Sequence, residues 1–289
     1  MRLCALLGFA VLSGGLEIAS ADTVSERVVS FDSRNTTLEG TLVLPGQLPP
    51  VAAVVFVHGS GAQPRNLAVG HAFARRGVAA LVYDKRGVGN SGGDYEGDQP
   101  VSEANLTLLA ADARAALARL SEERELQGVP LGLTGISQAG WIVPLAAFGS
   151  DVDFLALWSG PVCAISEEDI FSKYTHDLDA GRVPAYAEAL AARTTPYVWP
   201  DFLGRDTDAS EDLARLDLPG VWLFGENDGS VPVDLSIERL RALQDAGHDY
   251  HYVLFSGVGH NNMPETFDTA VAWIKRTISR QRAEPSSAQ

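Results

Sequence analysis

Ser137 stands in the stretch Gly135-Ile136-Ser137-Gln138-Ala139, which closes an apolar run at 131–136 and leads directly into another at 141–148. A turn this abrupt between strand and helix forces its central residue into strained backbone angles, and the residues two before and two after must be small for the backbones to approach. Gly135 and Ala139 meet that condition. Such a turn lifts the Ser137 hydroxyl above a sheet and aims the Gln138 N–H, at a helix N-terminus, toward any negative charge that forms there. The chemistry would be nucleophilic attack; the alternative is a plain serine helix cap. A serine hydroxyl is a poor nucleophile near neutral pH, so attack also requires a base within hydrogen-bond reach and an acid to orient that base. The chain holds six histidines from which the base could come.

The elements that would position these groups can be read from periodicity. Short apolar, β-branched runs bounded by Gly, Pro and Asp recur at 51–57, 78–83, 131–136, 154–158, 221–224 and 250–255, and are predicted as buried strands. Helical stretches lie between them; in 104–120, Leu106, Leu109, Ala113, Ala116, Leu117 and Leu120 recur at steps of three and four. Strand alternating with helix predicts a mostly parallel sheet covered on both faces. Ahead of it, 26–32 and 37–45, joined by a polar turn at 33–36, predict an antiparallel pair at one sheet edge. Residues 161–218 break the rhythm, rich in Asp, Ala and aromatics, and are predicted as a helical cap inserted between two strands. The core then comprises 22–160 and 219–289.

With these pieces in order, the chain resembles the α/β-hydrolases from about residue 26 to residue 280. Val54-Val55-Phe56-Val57-His58-Gly59-Ser60-Gly61 resembles their strand and oxyanion loop, and Asp84-Lys85-Arg86-Gly87-Val88-Gly89-Asn90-Ser91 their Asp-x-Arg-Gly-x-Gly-x-Ser turn. The nearest subgroup is the serine esterases and peptidase-like hydrolases with a His-Gly-Ser-Gly loop. The resemblance implies an α/β-hydrolase fold with triad order Ser, acid, His. The acid follows the strand at 221–224, where Asp228 fits the family's Gly-x-x-Asp-x-x-Val-Pro pattern at Gly225, Asp228, Val231 and Pro232; Glu226 is the rival, and a mere turn role for Asp228 is the alternative. After 154–158 come Ser159-Gly160-Pro161, without a carboxylate. Among the histidines, His71 and His176 fall in helical or cap regions, His248 and His251 flank the last strand, and His58 belongs to the oxyanion loop, which leaves His260 as general base. The oxyanion donors implied are the N–H groups of Gln138 and Ser60, with Gly61 as the alternative to Ser60. Asp84 and Arg86 read as a structural turn, Arg65 as a surface charge, and Cys163 as a small buried apolar residue.

Composition narrows the function further. The 289 residues carry a formal net charge of -15, a field that repels phosphate backbones and anionic membranes, so no nucleic-acid partner is expected and the charge is read as solubility. Arg2, an apolar run at 3–12 and Ala19-Ser20-Ala21 predict a signal peptide over 1–21 and a secreted or periplasmic protein with no membrane span. Cys4 would leave with it, so no internal disulfide is expected. No metal-ligand spacing, P-loop or dinucleotide frame occurs, and no cofactor is required. The cap aromatics Phe171, Tyr174, Tyr186, Tyr197, Trp199 and Phe202 are expected to pack the lid rather than line an acyl site. The reading is a serine hydrolase acting on a small-molecule carboxylic ester. A peptidase or amidase of the same fold, or a non-catalytic hydrolase-fold binding protein, is the alternative, and the oligomeric state stays open.

Overall fold

The computed structural model describes residues 24–283; the expected signal peptide lies outside them. The first two strands, β1 (Val24–Ser33) and β2 (Thr36–Pro45), form a hairpin paired in register from Val24↔Pro45 to Ser33↔Thr36. Their two-residue link, Arg34 and Asn35, has both φ angles positive, at 49° and 62°. That left-handed link matches the twist of the flanking strands.

Six more strands complete one sheet: β3 (Ala52–Val57), β4 (Val78–Tyr83), β5 (Leu131–Ile136), β6 (Phe154–Trp158), β7 (Gly220–Gly225) and β8 (Tyr250–Phe255). The order is β1-β2-β4-β3-β5-β6-β7-β8, antiparallel at β1-β2 and β2-β4 and parallel elsewhere. Strands covered on both faces need apolar residues throughout, and β3, β4, β6 and β7 are buried at every position. Edge strand β8 is largely half-exposed.

Helices α1 (Leu67–Ala74) and α8 (Met263–Ala283) cover one face, where Phe73 and Phe267 pack on Trp158. Burying a ring of this size contributes about 1.5–3 kcal/mol. The Trp158 indole N–H also donates to Thr266 Oγ1 at 2.9 Å, which pins the start of α8 to the end of β6. Helices α2 (Glu103–Ser121), α3 (Ala139–Ala147) and α7 (Val233–Asp245) cover the other face with Leu106, Leu117, Ile142 and Leu240.

Between β6 and β7 the chain forms α4 (Ile165–Thr175), α5 (Tyr186–Ala191) and α6 (Ala209–Leu213). Ile170, Phe171 and Ala189 make a small apolar cluster of their own, whereas Ala209 and Leu213 of α6 join the main core. Within 201–217, Asp212 is buried and paired with Arg205. Among the described residues no helix is long and apolar enough to cross a membrane.

Candidate active site

Ser137 sits at the junction of β5 and α3 with φ at +57°, a conformation that L-residues rarely adopt. The sharpness of the turn explains its neighbours: a Cβ on Gly135 would lie 2.5 Å from Ala139 Cβ and 2.6 Å from the Val57 carbonyl oxygen. The Ser137 N–H donates to the Trp158 carbonyl at 3.0 Å, and its own carbonyl accepts from Gly140 at 2.7 Å. The N-cap position of α3 is Gln138, without a side-chain cap, so Ser137 Oγ is not used to close the helix.

Asp228 and His260 meet beyond the ends of β7 and β8. The Asp228 carboxylate is buried and accepts the N–H groups of Ser230 and Val231, both at 2.9 Å, through Oδ1. His260 Nδ1 lies 3.0 and 2.9 Å from its two oxygens, so the ring donates there and leaves Nε2 as an acceptor. Glu226, the rival acid, accepts from Ser256 Oγ at 2.6 Å instead. Burial of the His260 ring pulls its pKa down. The hydrogen bond to Asp228 and the charges of Asp228, Asp179 and Glu168 outweigh this, and the net shift is upward from 6.5. No hydrogen bond joins Ser137 Oγ to His260 Nε2 in this structure; such bonds commonly tighten only when substrate is bound.

Two residues that the sequence reading left without a role hold the histidine loop. Ser159, buried with φ at 45°, donates through Oγ to the His260 carbonyl at 2.8 Å and accepts from Asn262 Nδ2 at 2.9 Å. Since Ser137 N–H binds the carbonyl of the preceding residue, Trp158, consecutive residues at the end of β6 tie down both loops. Asp179, in the segment after α4, accepts the N–H of His260 and the N–H of Gly229, and so brackets the acid and base loops together. A Cβ on Gly259 would lie 1.9 Å from its carboxylate, so only glycine lets it in. A carboxylate in a cap loop carries no local signal that could have marked it.

The oxyanion loop packs against the elbow. A Cβ placed on Gly59 would lie 3.3 Å from Ser137 Cβ. Among the described residues the N–H groups of Gln138, Ser60 and Gly61 have no hydrogen-bond acceptor, so Gly61 stays the alternative to Ser60. His58 is buried edge-to-face against Tyr83, and burial drives its pKa down to about 4, so its ring is neutral.

A cleft of about 890 Å³ opens between the oxyanion loop, α1 and the start of α8. Its walls include Phe56, Ile136, Met263 and Phe267, with Asn261, the neighbour of His260, at its edge. None of the six cap aromatics lines it; Phe171, Tyr186 and Tyr197 pack together, while Phe202 is exposed. Arg65 borders the cleft but is not the surface charge expected: its guanidinium is largely buried and held by Asp84 at 2.6 Å and Glu39 at 2.5 Å. Asp84 also accepts the N–H groups of Arg65 and Asn90, and Arg86 is buried in a pair with Asp112. Cys163 is fully buried. On α4, burial together with the charges of Asp177 and Asp169 pushes Glu168 up to about 8, while the charge of His260 acts in the opposite sense.

Residues 49–179 match the family model described as serine aminopeptidase, S33. The fold is similar to that of an esterase from Pyrococcus furiosus, Pf2001, at 15% identity and TM-score 0.63, covering 90% of this chain and 91% of that one. It is similar to an acylaminoacyl peptidase from Pyrococcus horikoshii at 17% identity and TM-score 0.64, covering 92% of this chain and 42% of that one. An acetyl xylan esterase from Paenibacillus sp. R4 aligns at 18% identity and TM-score 0.63, covering 88% and 84%. No curated protein matches the chain.

Proposed function

We propose that this chain, an α/β-hydrolase by fold, is a serine hydrolase that cleaves carboxylic esters through an acyl-enzyme. The observation that carries the reading is the buried Asp228 carboxylate holding His260 by Nδ1, which leaves Nε2 free to accept a proton; the strained backbone of the Ser137 elbow supports the nucleophile. Ser137 Oγ forms a bond to the ester carbonyl carbon as its proton passes to Nε2. The carbonyl electron pair moves onto oxygen, where the N–H groups of Gln138 and Ser60 receive it. Collapse restores the carbonyl, breaks the bond to the alcohol oxygen and returns the proton from Nε2 to that leaving group. Water then adds to the acyl carbon with His260 again taking the proton, and collapse breaks the bond to Ser137 Oγ, which regains its proton from Nε2 as the acid departs.

The cleft beside His58 and Asn261 supports an ester with an apolar group of modest size. A peptidase is the second reading, favoured by the description of the matching family. Labelling by a fluorophosphonate at Ser137, followed by a panel of p-nitrophenyl esters and aminoacyl amides, separates them. Labelling with ester turnover well above amide turnover is expected. Faster amide cleavage would select the peptidase, and folded protein that does not label would select a binding protein. Export after cleavage behind Ala21 belongs to the same proposal, and N-terminal sequencing of the mature protein checks it.

A further inference from the structure

Lys85 follows β4 and is buried, with 3% of its surface exposed. Among the described residues it has no carboxylate partner; its ammonium instead spends all three N–H donors on neutral oxygens. They are the Gly59 carbonyl at 2.9 Å, the Gly61 carbonyl at 3.1 Å and Gln138 Oε1 at 3.0 Å. The Tyr95 ring lies 5.8 Å away. A buried, unneutralised cation is an unfavourable placement, and burial alone lowers its pKa to about 8. What it holds explains the position.

A peptide unit is planar and trans, so its C=O and N–H point in opposite directions. Gly59 C=O and Ser60 N–H belong to one such unit. Drawing the Gly59 oxygen down onto the ammonium therefore turns the Ser60 N–H the other way, on the loop that packs against Ser137. The third bond fixes the side chain of Gln138, whose N–H is the second donor, and the Gln138 amide is closed at its other end by Nε2 donating to the Pro100 carbonyl at 2.8 Å. A positive charge on the carbonyl side of a peptide also strengthens the N–H on the other side as a donor.

We infer that Lys85 is a positioning residue that locks the two oxyanion donors, Ser60 N–H and Gln138 N–H, into one rigid unit through a single ammonium. The inference rests on the serine-hydrolase reading above. Sequence spacing conceals it, because Lys85 and Gln138 are 53 residues apart.

The test uses Lys85→Met and Gln138→Leu, singly and together, with kcat expressed per site titrated by fluorophosphonate so that any unfolded fraction is not counted. Lys85→Met is expected to lower kcat by about a hundredfold with KM within a fewfold, the size seen when one oxyanion donor is lost. Gln138→Leu is expected to lower kcat less, and the pair to lower it by less than the product, because both act through one network. The wild type should also lose kcat above about pH 8, where a neutral amine can no longer satisfy three acceptors, whereas Lys85→Met should not. The groups facing Lys85 are the neutral His58, the Tyr95 ring and the Gln138 amide. Asp84, next in the chain, is bound by Arg65. A Lys85→Met protein with near wild-type kcat per titrated site overturns the inference; should that variant not fold, an unchanged kcat in Gln138→Leu does so. Failure of the wild type to label or to hydrolyse esters would reject the underlying reading instead.

Discussion

Asp179 accepts the backbone N–H of His260 with both carboxylate oxygens, each at 3.1 Å. A side chain from the segment after α4 thus holds the loop of the proposed base, and through Gly229 N–H at 3.1 Å the loop of its acid partner. The neighbouring Leu178 presses on the same glycine, since a Cβ on Gly229 would lie 2.1 Å from the Leu178 carbonyl oxygen.

Two substitutions separate what that carboxylate contributes. Asp179→Asn keeps an oxygen that can accept both N–H groups but removes the charge that helps raise the His260 pKa, so the acid limb of kcat/KM should move to lower pH with the maximum nearly kept. Asp179→Ala removes the bracket as well and should lower kcat by about ten- to a hundredfold, the scale of a small misplacement of reacting groups. Identical pH profiles for wild type and Asp179→Asn would show that the charge does not reach the base.

The pH dependence of the wild type follows from the same group. A base must be neutral to accept a proton, and the Asp228 carboxylate favours the imidazolium, so activity should rise through a midpoint above the ordinary histidine value of 6.5. Steady-state rates on a non-ionising ester between acid and neutral pH measure this midpoint. An acid limb centred below 6.5 would contradict the upward shift.

Ser137→Ala removes one hydroxyl whose oxygen caps no helix. It should lower kcat by about 10⁴- to 10⁶-fold with an almost unchanged Tm, and should abolish fluorophosphonate labelling. Wild-type ester turnover in this variant would remove Ser137 from the mechanism.

Stability away from the site should depend strongly on Arg86. Its guanidinium is paired with Asp112, both side chains are buried, and it also donates to the Ser33 carbonyl at 3.1 Å. Arg86→Met would leave the Asp112 carboxylate buried without its cation, a loss of about 3–5 kcal/mol in denaturant unfolding. A change below about 1 kcal/mol would mean that water or a rearranged neighbour replaces the guanidinium.

The sequence alone determined whatever a few neighbouring residues constrain. The strands at 78–83, 131–136 and 154–158 stand where the apolar runs placed them, because a strand buried on both faces admits little else. The elbow was legible for the same reason: only small residues let β5 and α3 meet across Ser137. The resemblance pointed to Asp228, but only tertiary structure shows the turn sending it to His260 while Glu226, two residues away, accepts from Ser256. It also decided that Arg65 is a buried partner of Asp84 rather than a surface charge. Asp179, Ser159 and Lys85 act on residues 81, 101 and 53 positions away. Hydrogen bonds over such separations leave no periodicity or spacing in the chain; they exist only once the sheet has brought the loop ends together.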